Sequence, residues 1–412
     1  MWIRWLTTLP AMLAYSSLVG CGDGASPPGG TPPSDAASAH DLVPLNDVPS
    51  PDALLPDIAQ ADAPVAPSDG CAPLGAGCDG GVGLPGLTEM RFSVAIGSNG
   101  VSAPVDFSIP EGIRSVTIVV EASADTLLAL ASLRTADGVE RVGLDPTAGY
   151  GPEMADRYYT EQVGQMPGGL YQSIRLGTFT QVYPYRPGQP LPAGAMQLRV
   201  ASDATSGQAT VRVFLAPDDG GRVLHINVIT VSDTLCFGAA PSFLPQMQAI
   251  FDQARIRLVV DEVATLSGSG LNRLTTFTEP QEGPGSQAAD IARIARSRLC
   301  SGALNVFVVD ALPSGVGGLS LGTPGPTDPR SYYWGVVIRR TTTDAAYARV
   351  VAHEVAHFLG LQHVQNAGVS GRIYPDPLDD TAPDPMNLME RGTRLTADQG
   401  YCLSRSGLLR MR

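Results

Sequence analysis

The segment His353-Glu354-Val355-Ala356-His357-Phe358-Leu359-Gly360-Leu361-Gln362-His363 gathers three of the chain's five histidines around one glutamate. Imidazole nitrogens and carboxylates are the groups that ligate transition metals and move protons. Residues four apart share a helix face, so His353 and His357 can address one metal ion. Glu354 is rotated about 100° from His353, beside the metal and not on it, which suits a general base. His363 lies six residues past His357, about 9 Å further along a continued helix and on another face. The helix must therefore stop, and Gly360 is the residue that can turn it, because glycine accepts a positive φ at a helix C-terminus. Three neutral imidazoles leave a zinc ion its full double charge and a fourth position for water, whose pKa falls to about 7. The spacing predicts a zinc site with His353, His357 and His363 as ligands and Glu354 as base. The other two histidines, His40 and His225, lie far upstream, and His225 reads as structural.

The ligands need a helix to carry them. Residues 345–359 (AAYARVVAHEVAHFL) read as one helix with an apolar face, and Asp344 before it is a candidate N-cap. Upstream the pattern alternates: strands at 223–229, 256–260, 304–309 and 332–339, helices at 242–255 and 286–299. Such alternation implies a layered α/β sheet. The glycine-rich run 315–322 is either an edge strand able to pair with an extended peptide or a surface loop.

The H-E-x-x-H-x-x-G-x-x-H pattern, with Asp384-Pro385-Met386-Asn387-Leu388-Met389 downstream, resembles the metzincin metalloproteases. The segments 376–381 and 395–399 look like bacterial secreted members of that family. The resemblance spans roughly residues 222–412. It implies a zinc endopeptidase acting on protein or peptide substrates, and a methionine-containing turn, with Met389 as its methionine and Met386 as second choice. The fold class expected is therefore multidomain: a β-sandwich-like N-terminal domain, then an α/β metzincin-like catalytic domain with a mixed sheet and an active-site helix. A binding lipoprotein with a degenerate, non-catalytic zinc domain is the competing reading. The retained Glu354 speaks against it, since a purely structural zinc site needs no base.

The rest of the chain bounds where such an activity would work. Residues 1–20 carry Arg4 and then an apolar run too short to span a bilayer, ending Leu18-Val19-Gly20-Cys21. Small residues before a cysteine look like a bacterial lipoprotein cleavage site, with Cys21 lipidated and the protein in the cell envelope; ordinary secretion is the alternative. Residues 22–88 hold nine aspartates and no arginine among prolines, alanines and glycines. That composition cannot bury a core. With Cys21 it forms a tether, residues 21–88, spanning about 45 Å as a flexible coil. Setting those nine charges and Arg4 aside, the net charge of −13 falls to −5, so no nucleic-acid partner is expected, and any membrane contact is through lipid.

Residues 89–219 show strand-like runs at 90–96, 115–120, 127–133, 196–200 and 209–215 between Gly-, Pro- and Asp-rich turns, the pattern of a β-sandwich. Tyr158, Tyr159, Tyr171, Tyr183 and Tyr185 are either a binding face or ordinary sandwich aromatics, the latter being commoner. Residues 220–412 are the expected protease domain. An exported chain permits disulfides, and Cys71 and Cys78 are near enough to close a small loop. Cys236, Cys300 and Cys402 lie in the protease region, where a spare thiol is either a latency ligand for zinc or, more commonly, buried. Asp376, Asp379, Asp380 and Asp384 offer oxygens to a calcium ion or form a solvated acidic loop.

Overall fold

The computed structural model describes residue 84 and residues 86–411, apart from 124–125, 127, 144–164, 167–169, 176, 232–240, 267–301, 313–315, 330, 332, 341–342 and 368–372. The leader, Cys21, the tether to residue 83, Cys71, Cys78, Cys236, Cys300, Tyr158, Tyr159 and the helix expected at 286–299 lie outside the described residues, as does the Tyr171 side chain.

Among the described residues ten strands come first. They are β1 (Thr88–Ile96), β2 (Val105–Ile109), β3 (Ile113–Glu121), β4 (Leu128–Arg134), β5 (Glu140–Gly143), β6 (Gln165–Met166), β7 (Leu170–Arg175), β8 (Thr178–Tyr183), β9 (Gly194–Ser202) and β10 (Gly207–Pro217). They form two sheets, ordered β1-β10-β3-β8-β7-β6 and β2-β9-β4-β5, in which the paired strands run antiparallel. The period of two explains the layering. In β2, Val105, Phe107 and Ile109 are buried while Asp106 and Ser108 face water. Val116, Ile118 and Val120 of β3 and Val211, Val213 and Leu215 of β10 join Leu198 and Val200 of β9 in one apolar cluster. The opposite face of β3 and β10 is buried too, though it carries Ser115, Thr117 and Arg212. A polar face is buried only where something supplies its hydrogen bonds, and the C-terminal half does so. Arg114 Nη2 donates to the carbonyls of Leu409 at 2.6 Å and Ser406 at 3.2 Å. Ser115 Oγ donates to Arg405 O at 2.5 Å, and Arg405 Nη1 donates back to Arg114 O at 2.9 Å. Tyr183 and Tyr185 are fully buried, so they belong to the packing and not to an exposed binding face.

The second half contains β11 (Val223–Val231), α1 (Leu244–Asp252), β12 (Arg257–Thr265), β13 (Leu304–Val309), β14 (Gly318–Ser320), β15 (Val336–Arg339), α2 (Asp344–Phe358), β16 (Gln365–Ala367), β17 (Ile373–Pro375) and α3 (Ala397–Ser404). Its main sheet is ordered β12-β11-β13-β15-β14. The first four of these run parallel and β14 is antiparallel to β15, so the sheet is mixed. Parallel strands are covered on both faces and read as unbroken apolar runs. Accordingly β13 (LNVFVV) is buried at all six positions. Val306 and Val308 belong to the same apolar cluster as Val351 and Val355 of α2, while Phe307 and Val309 join a separate apolar cluster with Val337.

Two expectations are corrected. The strand expected at 332–339 begins only at Val336, because Gly335 has φ of +142° and breaks the extended run. The N-cap of α2 is Thr343, not Asp344: Thr343 is extended and its Oγ1 accepts from the Ala346 amide at 3.2 Å. Asp344 is the first helical residue, where its charge faces the positive end of the helix dipole. Either residue type can cap, and the cap falls to the one left outside the helix with an oxygen in reach.

Candidate metal centre

α2 delivers His353 and His357 from one buried face, and its ending delivers His363. Gly360, at φ of +121°, follows the last helical turn. Its N–H bonds to His357 O and the Leu361 N–H to Ala356 O, both at 2.9 Å. This is a Schellman ending, in which the left-handed residue lets two late amides satisfy carbonyls of the last turn. The chain reverses there and returns His363 to the other two imidazoles. Ring centroids are 4.6 Å apart for His353–His357, 5.2 Å for His353–His363 and 4.6 Å for His357–His363.

The donor set fits zinc. His353 Nδ1 donates to Leu388 O at 2.6 Å and His357 Nδ1 donates to Leu361 O at 2.7 Å. Each Nδ1 therefore carries the proton, which leaves each Nε2 as a bare lone pair. These two Nε2 atoms each lie 3.2 Å from His363 Nε2. One imidazole can donate to at most one of two such neighbours, so the three nitrogens are placed where they could share a cation. Tetrahedral zinc with bonds of about 2.0–2.1 Å separates its nitrogens by about 3.3 Å. Burial also keeps the imidazoles neutral, the form that ligates. It holds His357 down to about 4 and, with its histidine neighbours, holds His353 and His363 well below the usual imidazole range.

Glu354 is 3% exposed, on α2 against β14. Burial pushes its carboxyl up to about 8, and a hydrogen bond from the Ser320 amide pulls the other way. A Cβ on Gly318 would lie 2.6 Å from Glu354 Cγ and 2.9 Å from its Oε1, so only glycine leaves the glutamate that place. The glycine-rich run thus contains an edge strand, β14, directly beside Glu354.

Of the two methionines, Met389 is fully buried and Met386 is 57% exposed. The turn that carries them is tied to α3 by a reciprocal amide pair between Asn387 and Gln399, both bonds at 3.1 Å. Gln399 also closes the capping box of α3 with Thr396. Asn387, Gln399, Gly318 and the Leu388 carbonyl were not singled out from the sequence. Only Gln399 carried a local signal, the Thr-x-x-Gln spacing before a helix.

The acidic residues go elsewhere. Asp384 accepts from the Met386 amide at 2.9 Å and pairs with Arg394. Asp380 accepts from the Asp398 amide at 3.0 Å, and Asp379 meets Arg186 at 3.5 Å. Among the described residues they form no cluster of converging ligand atoms, whereas the three histidines do. Cys402 is a buried free thiol whose proton burial holds more tightly than usual, packed near Gly360. His225 pairs with Asp261 at 2.6 Å on the β11–β12 surface, far in sequence from the centre.

No protein-family profile matches the sequence, and no curated protein does. Among solved structures, archaemetzincin from Methanopyrus kandleri superposes over 45% of this chain and 96% of its own, at 12% identity and a TM-score of 0.28. Metalloproteinase-II from Bacteroides fragilis does so over 42% of this chain and 54% of its own, at 12% identity and a TM-score of 0.25. A xylanase from Cellvibrio japonicus also superposes, over 58% of this chain and 46% of its own, at 12% identity and a TM-score of 0.19. Likenesses this slight assign neither fold nor activity, so the functional reading stands on the centre itself.

Proposed function

We propose that the chain is a zinc-dependent endopeptidase that hydrolyses peptide bonds in protein or peptide substrates. One observation carries the reading. Two imidazoles spend their Nδ1–H groups on backbone carbonyls, which turns Nε2 lone pairs toward His363, beside a buried carboxyl. His353, His357 and His363 would hold the metal. Bound zinc would supply a Lewis acid for the scissile carbonyl and acidify water at the site. The Leu388 and Leu361 carbonyls keep both helix imidazoles in the ligating tautomer. Glu354, at a carboxylate oxygen, takes the proton of the attacking water and returns it to the leaving nitrogen. The edge of β14, which no strand pairs among the described residues, would take an extended substrate beside Glu354.

Around this centre we read residues 220–412 as the catalytic domain, with Met389 as its Met-turn residue, and residues 89–219 as a β-sandwich-like accessory domain. Residues 1–20 are a leader, Cys21 is the lipid anchor and residues 21–88 tether the enzyme to a bacterial cell envelope. The support for these last three is the sequence pattern alone. The test is a cleavage profile of the purified full-length chain on a proteome-derived peptide library. Cleavage abolished by a chelator and restored by zinc is the expected result. A zinc-loaded protein that cuts nothing in the library would favour the binding reading.

A further inference from the structure

The first part of the connection between β14 and β15, residues 321–329 (LGTPGPTDP), is buried along most of its length. Connecting segments ordinarily run over the surface, where water satisfies their backbone. Here one side of the loop is satisfied by the metal centre. The Gly325 N–H donates to Phe358 O at 2.9 Å, on the last turn of α2. Gln362 Nε2, next to His363, donates to Thr323 O at 3.3 Å. A Cβ on Gly325 would lie 2.3–2.4 Å from ring atoms of Phe358, so the loop backbone rests directly on that ring. The loop therefore clamps the stretch 358–362, which carries the chain from His357 to His363.

The other side of the loop is held from the antiparallel-sheet half. Asp328, whose side chain is 7% exposed, receives Arg212 Nη1 from β10. Arg212, 4% exposed, also donates from Nε to Glu89 Oε1 at 2.8 Å. The guanidinium fork thus spans from β1 to the buried loop, a geometry that a lysine ammonium cannot copy.

We propose that Arg212 is a positioning residue for the metal centre: through Asp328 it presses the 321–329 loop onto the His357–His363 turn and so sets where His363 Nε2 stands. The inference rests on the metal-centre reading above. Its consequence is that the β-rich half is part of the working centre and not a detachable module. Replacing a buried ion pair by apolar groups of similar volume is often neutral for stability, so stability and positioning can be separated by experiment.

The experiment uses the full chain loaded with cobalt, whose visible absorption reports ligand geometry without turnover. Three variants are compared with the wild type: Asp328→Asn, the double variant Arg212→Met with Asp328→Leu, and Arg186→Ala. In the last, an exposed pair with Asp379 and a bond to Pro377 O are what is lost among the described residues. We expect an altered cobalt spectrum and metal loss to a chelator about tenfold faster in the double variant, the size of effect that outer contacts to a metal site have. Asp328→Asn should show a smaller change in the same direction, and Arg186→Ala none. A purely structural role would lower the melting temperature but leave the spectrum of the folded protein unchanged. A folded double variant with wild-type spectrum and loss rate overturns the proposal. If the double variant does not fold, wild-type behaviour of Asp328→Asn overturns it equally. A wild type that takes up no cobalt sinks the metal-centre reading itself, a result distinct from a variant that matches a loaded wild type.

Discussion

The Nδ1–H of His353 donates to the carbonyl of Leu388 at 2.6 Å, which joins one of the three converging histidines on α2 to the residue just before Met389. The bond orients the imidazole, and it makes the turn around Met389 a support of the candidate metal centre. That turn is in turn locked to α3 through Asn387 and Gln399.

Truncating Met389 should therefore be felt at the metal. Met389 is fully buried, so Met389→Ala should cost about 2–5 kcal/mol and speed zinc loss to a chelator. Met389→Leu keeps the volume and should cost less than about 1.5 kcal/mol. Met386 is 57% exposed, and Met386→Ala should change stability by no more than about 0.5 kcal/mol. Thermal unfolding and chelator competition on the three variants check this. Damage from Met386→Ala with none from Met389→Ala would reverse the assignment.

If the proposed function holds, Gly318→Ala should abolish peptide turnover without lowering zinc content. The new methyl would sit 2.6 Å from Glu354 Cγ, and a helix-borne side chain must move to make room. We expect turnover to fall by roughly 10²-fold or more, the range of effect for a displaced general base, with zinc content unchanged. Wild-type turnover in Gly318→Ala would show that Glu354 works from another position.

Asp376 should make stability depend on pH. Its Oδ1 accepts from the Leu378 amide at 3.2 Å and from the Thr381 hydroxyl, while its buried Oδ2 has no hydrogen-bond partner among the described residues. Burial, helped by Asp380 and Asp398, pushes the carboxyl up to about 6 from 3.8. The folded chain then holds this proton more tightly than the unfolded chain. The cost is present in full above pH 6, is relieved as pH falls through 6, and is gone below 3.8. A shift of about two units corresponds to at most about 3 kcal/mol. Asp376→Asn should stabilise the protein at pH 8, and its advantage over the wild type should shrink toward pH 4. A difference that is constant or grows on acidification would contradict this.

The three converging histidines were legible in the sequence because their own side chains carry the chemistry and one helix sets the spacing of the first two. Gly360 was legible for the same reason: it had to end that helix. The parallel strands were legible as unbroken apolar runs such as 304–309. The supports were not. Leu388 acts through its backbone carbonyl, which any residue would offer. Gly318 matters for the space it leaves, and a glycine-rich run reads equally as loop or strand. Arg212 and Asp328 are 116 residues apart, and no local pattern predicts a pairing across two sheets. The N-cap was misplaced by one residue because Thr343 and Asp344 can both cap, and only the backbone decides between them.

The central claim is that His353, His357 and His363 hold a zinc ion which Glu354 serves as a base, and one comparison tests it most directly. Zinc content by elemental analysis and peptide turnover should be measured on the wild type and on Glu354→Gln. Glutamine keeps the size and an oxygen for the Ser320 amide but cannot take a proton. The account predicts one zinc per chain in both proteins and turnover lower by roughly 10²–10⁴-fold in the variant. Wild-type turnover in Glu354→Gln, or a wild type that hydrolyses peptides without zinc, would contradict it.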